Sequence, residues 1–273
     1  MRVEMIMSRD VLSIDKDQRL KDALKLMEKT GVDRLIVTED GRLFGIITAR
    51  DISKKLGSYK HGSLPSSRLH VSTATTVDPI TIGPEASVFK AAEIMIKNGI
   101  SGIPVISGEE VVGIITKTDI TRFCTETNVC PVEFYNSLVK DIMTRDPITV
   151  SPWDRVVHAR RILLDNNISR LPVIEDGLLV GLVSERDIAR TMDAFRKVVP
   201  DRYKSARVRR LLVEDIMTQN PTYTTPNTRV YKFSELLLKS GISGAPVLEE
   251  NRLVGIATKT DIVRLFLKED DNN

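Results

Sequence analysis

The chain has 273 residues, of which 41% are hydrophobic and 28% are charged, and its net charge at pH 7 is +3. This length exceeds the ~100–200 residues of a usual single domain, so we expect about two domains with sizeable cores rather than a disordered chain or a small disulfide-stapled scaffold. The apolar stretches are far shorter than the ~20 residues that cross a bilayer, and the nearly balanced charge does not by itself indicate a nucleic-acid partner.

The amino terminus has no apolar signal-peptide segment and carries an acid at Glu4, so we expect a cytoplasmic protein. Cytosolic thiols are usually kept reduced, and we therefore expect Cys124 and Cys130 to be free thiols rather than a disulfide. No histidine stands near them in the sequence, and no metal site is predicted.

One set of motifs is repeated four times, and we number the copies in chain order: 1–68, 69–136, 137–208 and 209–273. In copy 1, apolar residues at i, i+3, i+4 and i+7 from Leu20 predict a helix with one buried stripe, which stops at Gly31. Asp40-Gly41 then predicts a hairpin between two strands, and a second helix begins at Thr48. The resulting order is strand, helix, strand, strand, helix, which is an α+β unit.

The later copies keep this order. A short strand is predicted from Pro147 to Val150, the first helix of copy 3 stops at Asn167, and Asp176-Gly177 joins the next two strands. Stretches rich in glycine, serine, proline and charge are expected to be connectors. These connectors are residues 55–67, 125–137 and 194–207.

The sequences of the copies alternate, because copy 1 resembles copy 3 and copy 2 resembles copy 4 more than each resembles its neighbour. A unit of roughly 60 residues buries too little apolar surface to be stable alone, so each copy should pack its sheet against another. We therefore expect a pair of copies to be the functional building block.

The second helix of each copy starts with Thr or Ser followed three residues later by Asp. A hydroxyl at the N-cap and an acid at the third position form a capping box, which satisfies free backbone N–H groups without any ligand. All four copies have Asp at this third position, where a capping box usually has Glu. The recurrence of the shorter acid favours a further role besides capping. The start of a helix attracts anions, and a carboxylate can accept both hydroxyls of a ribose.

No group of residues suited to catalysis recurs in the sequence. Neither a phosphate-binding glycine loop nor a zinc-protease motif is present, and His61, His70 and His158 occupy unrelated positions of the repeat. We expect a protein that is not an enzyme and has no catalytic cofactor.

The order of the motifs resembles the CBS domain, in four copies covering nearly the whole chain. These motifs are a Gly/Asn-Ile/Val-Ser-Arg/Gly-x-Pro-Val block, a hairpin and a Gly-x-x-Thr/Ser-x-x-Asp block. The resemblance implies four βαββα repeats paired as two Bateman modules, copies 1 and 2 in one and copies 3 and 4 in the other, in a disc-like arrangement. With four copies and no catalytic domain, the chain is similar to the gamma subunit of AMP-activated protein kinase and to stand-alone archaeal four-repeat proteins. This similarity implies regulation by AMP, ADP or ATP.

Carried over by position, the resemblance assigns three groups of residues to each nucleotide. The ribose would contact Asp51, Asp119, Asp187 and Asp261. The phosphates would contact Thr48, Thr116, Ser184, Thr258, Arg34, Arg170, Ser101, Ser169, Ser243, Arg50 and Arg186. The adenine pocket would contain Val32, Ile100, Ile168 and Ile242, although an apolar residue at the start of a strand is more often simply core.

Three of the four copies depart from this pattern of phosphate contacts. Copy 1 has Asp33 in place of serine and Ile36 in place of proline, and an acid there would repel phosphate. Copies 2 and 4 have Gly102 and Gly244 in place of arginine, so their phosphates would need positive charge from the partner copy.

The leading hypothesis is a nucleotide sensor that relays ligand binding to an unidentified regulated protein, with a homodimer also open. A second hypothesis fills the same pocket with S-adenosylmethionine, which has no phosphate. A third is nucleic-acid binding through the basic stretch from Arg190 to Arg210. This stretch contains no known nucleic-acid recognition motif, so a solvated linker and helix face is the simpler interpretation.

Overall fold

The computed structural model describes residues 1–56, 66–126, 132–198 and 210–268. Much of the predicted connectors, and residues 199–209 of the basic stretch, lie outside these ranges. None of the described helices is both long and apolar enough to cross a membrane. Cys124 is disulfide-bonded, so the expectation of free thiols is wrong, and Cys130 lies outside the described residues.

Copies 1 and 2 follow the predicted order of elements. Copy 1 contains β1 (Ser13–Asp15), α1 (Leu20–Thr30), β2 (Arg34–Glu39), β3 (Arg42–Thr48) and α2 (Ala49–Leu56). Copy 2 contains β4 (Thr76–Val77), α3 (Val88–Lys97), β5 (Gly102–Ser107), β6 (Glu110–Thr116) and α4 (Lys117–Glu126). Two short helices follow, α5 (Val132–Asn136) and α6 (Val139–Ile142).

Copies 3 and 4 repeat the same order, but the strand predicted from Pro147 to Val150 is not formed, and only Val150 makes an isolated bridge, to Val173. Copy 3 contains β7 (Thr144–Arg145), α7 (Val156–Asp165), β8 (Arg170–Glu175), β9 (Leu178–Ser184) and α8 (Glu185–Val198). Copy 4 contains β10 (Thr218–Gln219), α9 (Val230–Lys239), β11 (Gly244–Glu249), β12 (Arg252–Thr258) and α10 (Lys259–Leu267). The predicted α+β fold of four repeats is confirmed.

Local sequence signals explain where the elements begin and end. The apolar stripe of α1 is buried, and its C-cap Gly31 has a positive φ of 73°, a conformation that glycine adopts without a steric cost. Asn167 takes the equivalent place in copy 3 with a φ of 52°. Both residues of the Asp40-Gly41 turn have positive φ values, 50° and 79°, as a two-residue hairpin requires.

Neighbouring copies exchange their first segments. Ser8, which precedes β1 of copy 1, bridges to Ile114 in β6 of copy 2, while β4 at the start of copy 2 pairs with β3 of copy 1. In the second half of the chain, β7 pairs with β12 and β10 pairs with β9. The exchange links copy 1 with copy 2 and copy 3 with copy 4, and the grouping of these pairs into Bateman modules stays a prediction.

The exchanged segments sit tightly against glycine in the third strand. A Cβ added to Gly113 would lie 2.5 Å from the Sδ of Met7 and 3.1 Å from the carbonyl oxygen of Ser8. Gly181 and Gly255 are approached in the same way by Met217 and Met143. The first residue of the Gly-x-x-Thr/Ser motif is therefore needed for close packing.

The described chain forms two compact units, each with its own core. Unit 1 comprises residues 1–11, 80–147 and 221–273, and so contains copies 2 and 4. Unit 2 comprises residues 12–79 and 148–220, and so contains copies 1 and 3. In unit 1, α10 packs against α4, where the ring of Phe266 meets the ring of Phe123 edge-on with centroids 6.4 Å apart, and Phe266 also stacks on Phe89 of α3 at 4.3 Å. In unit 2, α2 packs against α8. Each unit thus brings together the second helices of the two copies that resemble each other more closely.

Candidate functional site

The four Thr/Ser-x-x-Asp elements all adopt the capping-box geometry. In each, one carboxylate oxygen, Oδ2 of the Asp, accepts the backbone N–H of the Thr or Ser at 2.8–2.9 Å and its hydroxyl at 2.6–2.7 Å. The pairs are Thr48 with Asp51, Thr116 with Asp119, Ser184 with Asp187 and Thr258 with Asp261. The structural role that the motif predicts is present, and it occupies only one of the two carboxylate oxygens.

The second oxygen, Oδ1, faces other donors. In unit 1, Oδ1 of Asp119 accepts the hydroxyl of Ser8 at 3.1 Å, and Oδ1 of Asp261 accepts an N–H of Arg264 at 3.3 Å. In unit 2, Arg190 approaches Oδ1 of Asp187 at 3.8 Å. One Asp can therefore cap its helix and still present an oxygen to a hydroxyl of a ligand.

Burial differs between the acids of the two units. Asp119 and Asp261 are only 4% and 6% exposed, whereas Asp51 and Asp187 are half-buried. Burial raises the pKa of Asp261, against the donors of Thr258 and the charge of Arg264, which act to lower it.

Backbone hydrogen bonds bring the two sequence blocks of each copy together. The first residue of the second helix donates its N–H to the carbonyl of the predicted phosphate-facing block, for example Lys117 to Ser101 at 3.1 Å and Glu185 to Ser169 at 3.2 Å. Lys259 donates to Ser243 and Ala49 donates to Asp33 in the same way. The serine block and the helix start thus form one local site in each copy.

Strand register adds the predicted arginines to these sites. Arg34 is the partner of Thr48 between β2 and β3, and Arg170 is the partner of Ser184 between β8 and β9. In copies 2 and 4, Gly102 and Gly244 occupy the corresponding positions opposite Thr116 and Thr258. The structure therefore places the residues that the sequence predicts for each copy at one end of its hairpin.

The residues predicted for the adenine pocket share one environment. Each is half-buried and packs at the margin of a core instead of inside it. These residues are Val32, Ile100, Ile168 and Ile242. An apolar side chain that is partly exposed at the same place in four copies can contact an apolar ligand ring as well as the core.

The arginines of unit 2 already have acceptors in the protein. Arg50 donates its Nε to Oε1 of Glu185 at 2.5 Å, and it also contacts the side chain of Asn167 and the carbonyl of Ile168. Arg186 donates to Oδ1 of Asp33 at 2.7 Å. Asp33, which was expected to repel phosphate, thus forms an ion pair with Arg186, which was expected to bind phosphate.

Two further charged groups of unit 2 have shifted pKa values. Burial lowers the pKa of Arg170, and the nearby charges of Asp33 and Glu185 oppose this effect. Burial raises the pKa of Glu185 to about 7, although Arg50 acts to lower it. Desolvation therefore outweighs the attraction of the neighbouring opposite charges in both cases.

Sequence reasoning missed the lysines of unit 1. Lys117 donates its Nζ to Oγ1 of Thr260 at 3.0 Å, and Lys259 donates to Oγ1 of Thr118 at 3.1 Å. Both lysines are buried, at 7% and 6% exposure. The available signal was the alternation of the copies, because only copies 2 and 4 write Lys-Thr between the Thr and the Asp of the motif.

The sequence profile of the CBS domain matches four stretches of the chain, residues 3–58, 71–126, 139–194 and 213–268. The chain belongs to the CBS-domain family. Each matched stretch falls inside one of the four copies.

Two solved structures resemble the CBS-domain chain over 97% of its length. Protein MJ1225 of Methanocaldococcus jannaschii, described as a candidate archaeal homologue of g-AMPK, is 23% identical, is covered over its whole length and has a TM-score of 0.82. An uncharacterized conserved protein from Pyrococcus horikoshii is 22% identical and has a TM-score of 0.64. Likeness at this level of identity shows the fold alone.

Longer relatives share only part of their length with this CBS-domain chain. Inosine-5'-monophosphate dehydrogenase of Korarchaeum cryptofilum is 45% identical over 112 residues, which are 41% of this chain and 22% of the enzyme. Protein MJ1404 of Methanocaldococcus jannaschii is 28% identical, and the match spans 61% of that protein. By contrast, the match with MJ1225 spans 98% of that curated protein.

Proposed function

We propose that this CBS-domain chain is a regulatory protein of the cytoplasm that binds AMP, ADP or ATP at its Thr/Ser-x-x-Asp elements and relays their presence to a partner protein. One observation carries the proposal. The same group of a hydroxyl, a carboxylate and a half-buried apolar side chain recurs at the hairpin end in all four copies.

Each part of the site suits one part of an adenine nucleotide. The Oδ1 oxygens of the four Asp residues are the acceptors for ribose hydroxyls, and the half-buried Val and Ile residues pack on the adenine ring. The hydroxyls, the serine block and the basic side chains supply the donors for phosphate. The description of MJ1225 as a candidate homologue of g-AMPK supports a role in sensing adenylate ligands.

A regulatory role without catalysis accounts for the pattern of likeness. The dehydrogenase relative shares a region that amounts to 22% of its length, and the chain covers nearly all of a relative of its own size, MJ1225. Regulation requires that the ligand bind two arrangements of the protein with different affinities, because equal affinity shifts no equilibrium.

A second candidate ligand is S-adenosylmethionine. It presents the same adenosine without a phosphate, and the ion pairs of Arg50 with Glu185 and of Arg186 with Asp33 favour it, because these arginines already have anionic partners. The two candidates make different demands on the basic residues and can be separated by experiment.

Thermal unfolding with AMP, ADP, ATP and S-adenosylmethionine in parallel tests both candidates. A ligand that binds only the folded state stabilises it by ~2.7 kcal/mol at a hundredfold excess over its dissociation constant. We expect a clear rise of the melting temperature with at least one adenine nucleotide. Saturating nucleotide that produces neither a thermal shift nor calorimetric heat would contradict the proposed function.

A further inference from the structure

Two apolar side chains are exposed at the turn end of the copy 3 hairpin. Trp153, which precedes α7, is 60% exposed, and Leu178, the first residue of β9, is 53% exposed. Trp153 donates its Nε1–H to Oε1 of Glu175 at 3.1 Å, and Glu175 is the register partner of Leu178. Directly opposed residues of an antiparallel pair lie side by side on one face. Trp153, Glu175 and Leu178 therefore form one surface, which we call the copy 3 tip.

Hydrogen bonds hold the turn that carries Trp153. Oδ2 of Asp154 accepts the N–H of Ser151 at 2.8 Å. The carbonyl oxygen of Pro152 accepts the N–H of Glu214 at 3.0 Å, which ties the turn to the segment that follows α8. An aromatic ring that is already fixed loses little conformational freedom when a partner docks, and this favours affinity.

The other copies have polar residues at both apolar positions of the tip. The residues that correspond to Trp153 are Asp17, Glu85 and Asn227. The residues that correspond to Leu178 are Arg42, Glu110 and Arg252. Because the repeat folds with a polar tip in three copies, its packing does not require the two apolar residues of copy 3. Exposed apolar side chains that the fold does not require favour a role in binding.

Acidic residues predominate around the copy 3 tip. The segments that form it and lie beside it, residues 151–155, 175–178 and 213–215, contain one basic residue, Arg155, and five acids. The acids are Asp154, Glu175, Asp176, Glu214 and Asp215. An acidic surface repels nucleic acid and anionic lipid headgroups, and in a symmetric dimer it would repel the same tip of a second chain. Its chemical complement is a protein segment that carries basic residues around an apolar one.

The copy 3 tip lies at the far end of the hairpin from the candidate nucleotide site. Arg170 pairs with Ser184 at one end of β8 and β9, and Glu175 pairs with Leu178 at the other end. At ~3.3 Å per residue, the steps from Arg170 to Glu175 separate the two ends by roughly 16 Å. A protein segment docked on the tip therefore leaves the adenosine site of copy 3 uncovered.

We propose that the copy 3 tip docks a partner protein through a segment in which arginine or lysine side chains flank an apolar anchor. The anchor packs on Leu178 and Trp153, and an arginine stacks on the exposed indole. Other basic groups pair with Glu175 and Asp176. Tryptophan is enriched among the few residues that dominate the energy of an interface. This surface goes beyond the proposed function, because it is separate from the adenosine sites and needs no nucleotide.

Two tryptophan-free peptides of equal length test the proposal by isothermal titration against the full chain. One has arginines on both sides of a pair of leucines, and the other has glutamate in place of each arginine. We expect the arginine peptide to bind at least tenfold more tightly, with an affinity that falls as salt is raised. Trp153 is the single tryptophan of the chain, so its emission should also shift to shorter wavelength when this peptide binds.

The matched variant gives copy 3 the tip residues of copy 1. Trp153→Asp with Leu178→Arg introduces the residue types that the repeat already accepts at Asp17 and Arg42, so the chain should still fold. It should weaken the arginine peptide tenfold or more and leave thermal stabilisation by nucleotide unchanged. Tyr223→Ser removes a different aromatic side chain, which is 54% exposed, and should leave the peptide affinity unchanged.

Each outcome decides for or against the docking surface. Equal affinity for the two peptides, no binding of the arginine peptide, or undiminished binding to the folded Trp153→Asp, Leu178→Arg chain would overturn it. Self-association of the unmodified chain that this variant abolishes, seen by sedimentation velocity, would make a second copy the occupant and would also overturn it. Nucleotide binding is measured separately by thermal shift, so a failure of the proposed function is distinguishable from a failure of this inference.

Discussion

Glu185 should make the stability of unit 2 depend on pH. Its side chain is only 12% exposed, and burial raises its pKa from 4.5 to about 7 in spite of the ion pair with Arg50. The charged groups that face it include Arg50 and Asp51 on α2, Asp33 before β2 and Arg170 at the start of β8. The unfolded chain loses the proton of this carboxyl near pH 4.5, whereas the folded chain keeps it until about pH 7.

The sign of the effect follows from this difference. An acid whose pKa is raised by folding contributes stability that is present below its unfolded pKa and is lost as the pH rises through its folded pKa. A rise from 4.5 to about 7 corresponds to roughly 3 kcal/mol. Because glutamine does not titrate, the free energy of unfolding of the unmodified chain should fall relative to Glu185→Gln by about this amount between pH 4.5 and 8.

Urea unfolding at pH 5, 6, 7 and 8 and fixed ionic strength measures this difference. The single tryptophan, Trp153, lies in unit 2, so its fluorescence follows the unit that contains Glu185. Glu235→Gln, which removes a carboxylate that is 51% exposed, should show no comparable change with pH. A difference between Glu185→Gln and the unmodified chain that is constant from pH 5 to 8 would refute the reasoning.

Three further predictions follow from packing and capping. Gly45→Ala should lower the free energy of unfolding by roughly 1–3 kcal/mol in a thermal or urea experiment, because its Cβ would lie 2.4 Å from the backbone carbonyl oxygen of Thr76, whereas Gly83→Ala, with one flexible side-chain contact at 3.4 Å, should not. Phe266→Ala removes a buried ring stacked on Phe89 and should cost about 3–5 kcal/mol by circular dichroism; a loss below 1 kcal/mol would argue against this packing. Asp187→Ala should cost ~1 kcal/mol of stability as a lost cap and, in calorimetry, should weaken adenosine binding as well. Unchanged affinity would leave Asp187 with its capping role alone.

Signals local to one copy predicted the elements well. The helix stop at Gly31, the Asp40-Gly41 turn and the helix start at Thr48 each depend on a few adjacent residues, and the structure shows all three. Local geometry also explains why the motif residues meet, since β8 pairs Arg170 with Ser184 within one hairpin.

Features that join distant parts of the chain were not predictable in this way. Neither Lys117 nor Thr260 carries a signal that the two meet, because their contact depends on which helix starts face each other. The ion pair of Asp33 with Arg186 likewise joins residues that are distant in the sequence. It gives a structural role to Asp33, which the sequence alone indicated only as an acid that would repel phosphate. The alternation of the copies indicated which of them were related, without showing which side chains would touch.

The exchanged segments impose an order on synthesis. As the chain leaves the ribosome, the segment around Ser8 has no strand to join until Ile114 has been made, and β3 cannot gain its last neighbour before β4 emerges. A similar length of chain separates the paired segments in the second half, where β12, the partner of β7, is synthesised near the end of the chain. Pairings so distant in sequence form slowly. The nascent chain therefore exposes unpaired strand edges for most of its translation, and we expect unit 2, whose last segment ends at Asn220, to close before unit 1.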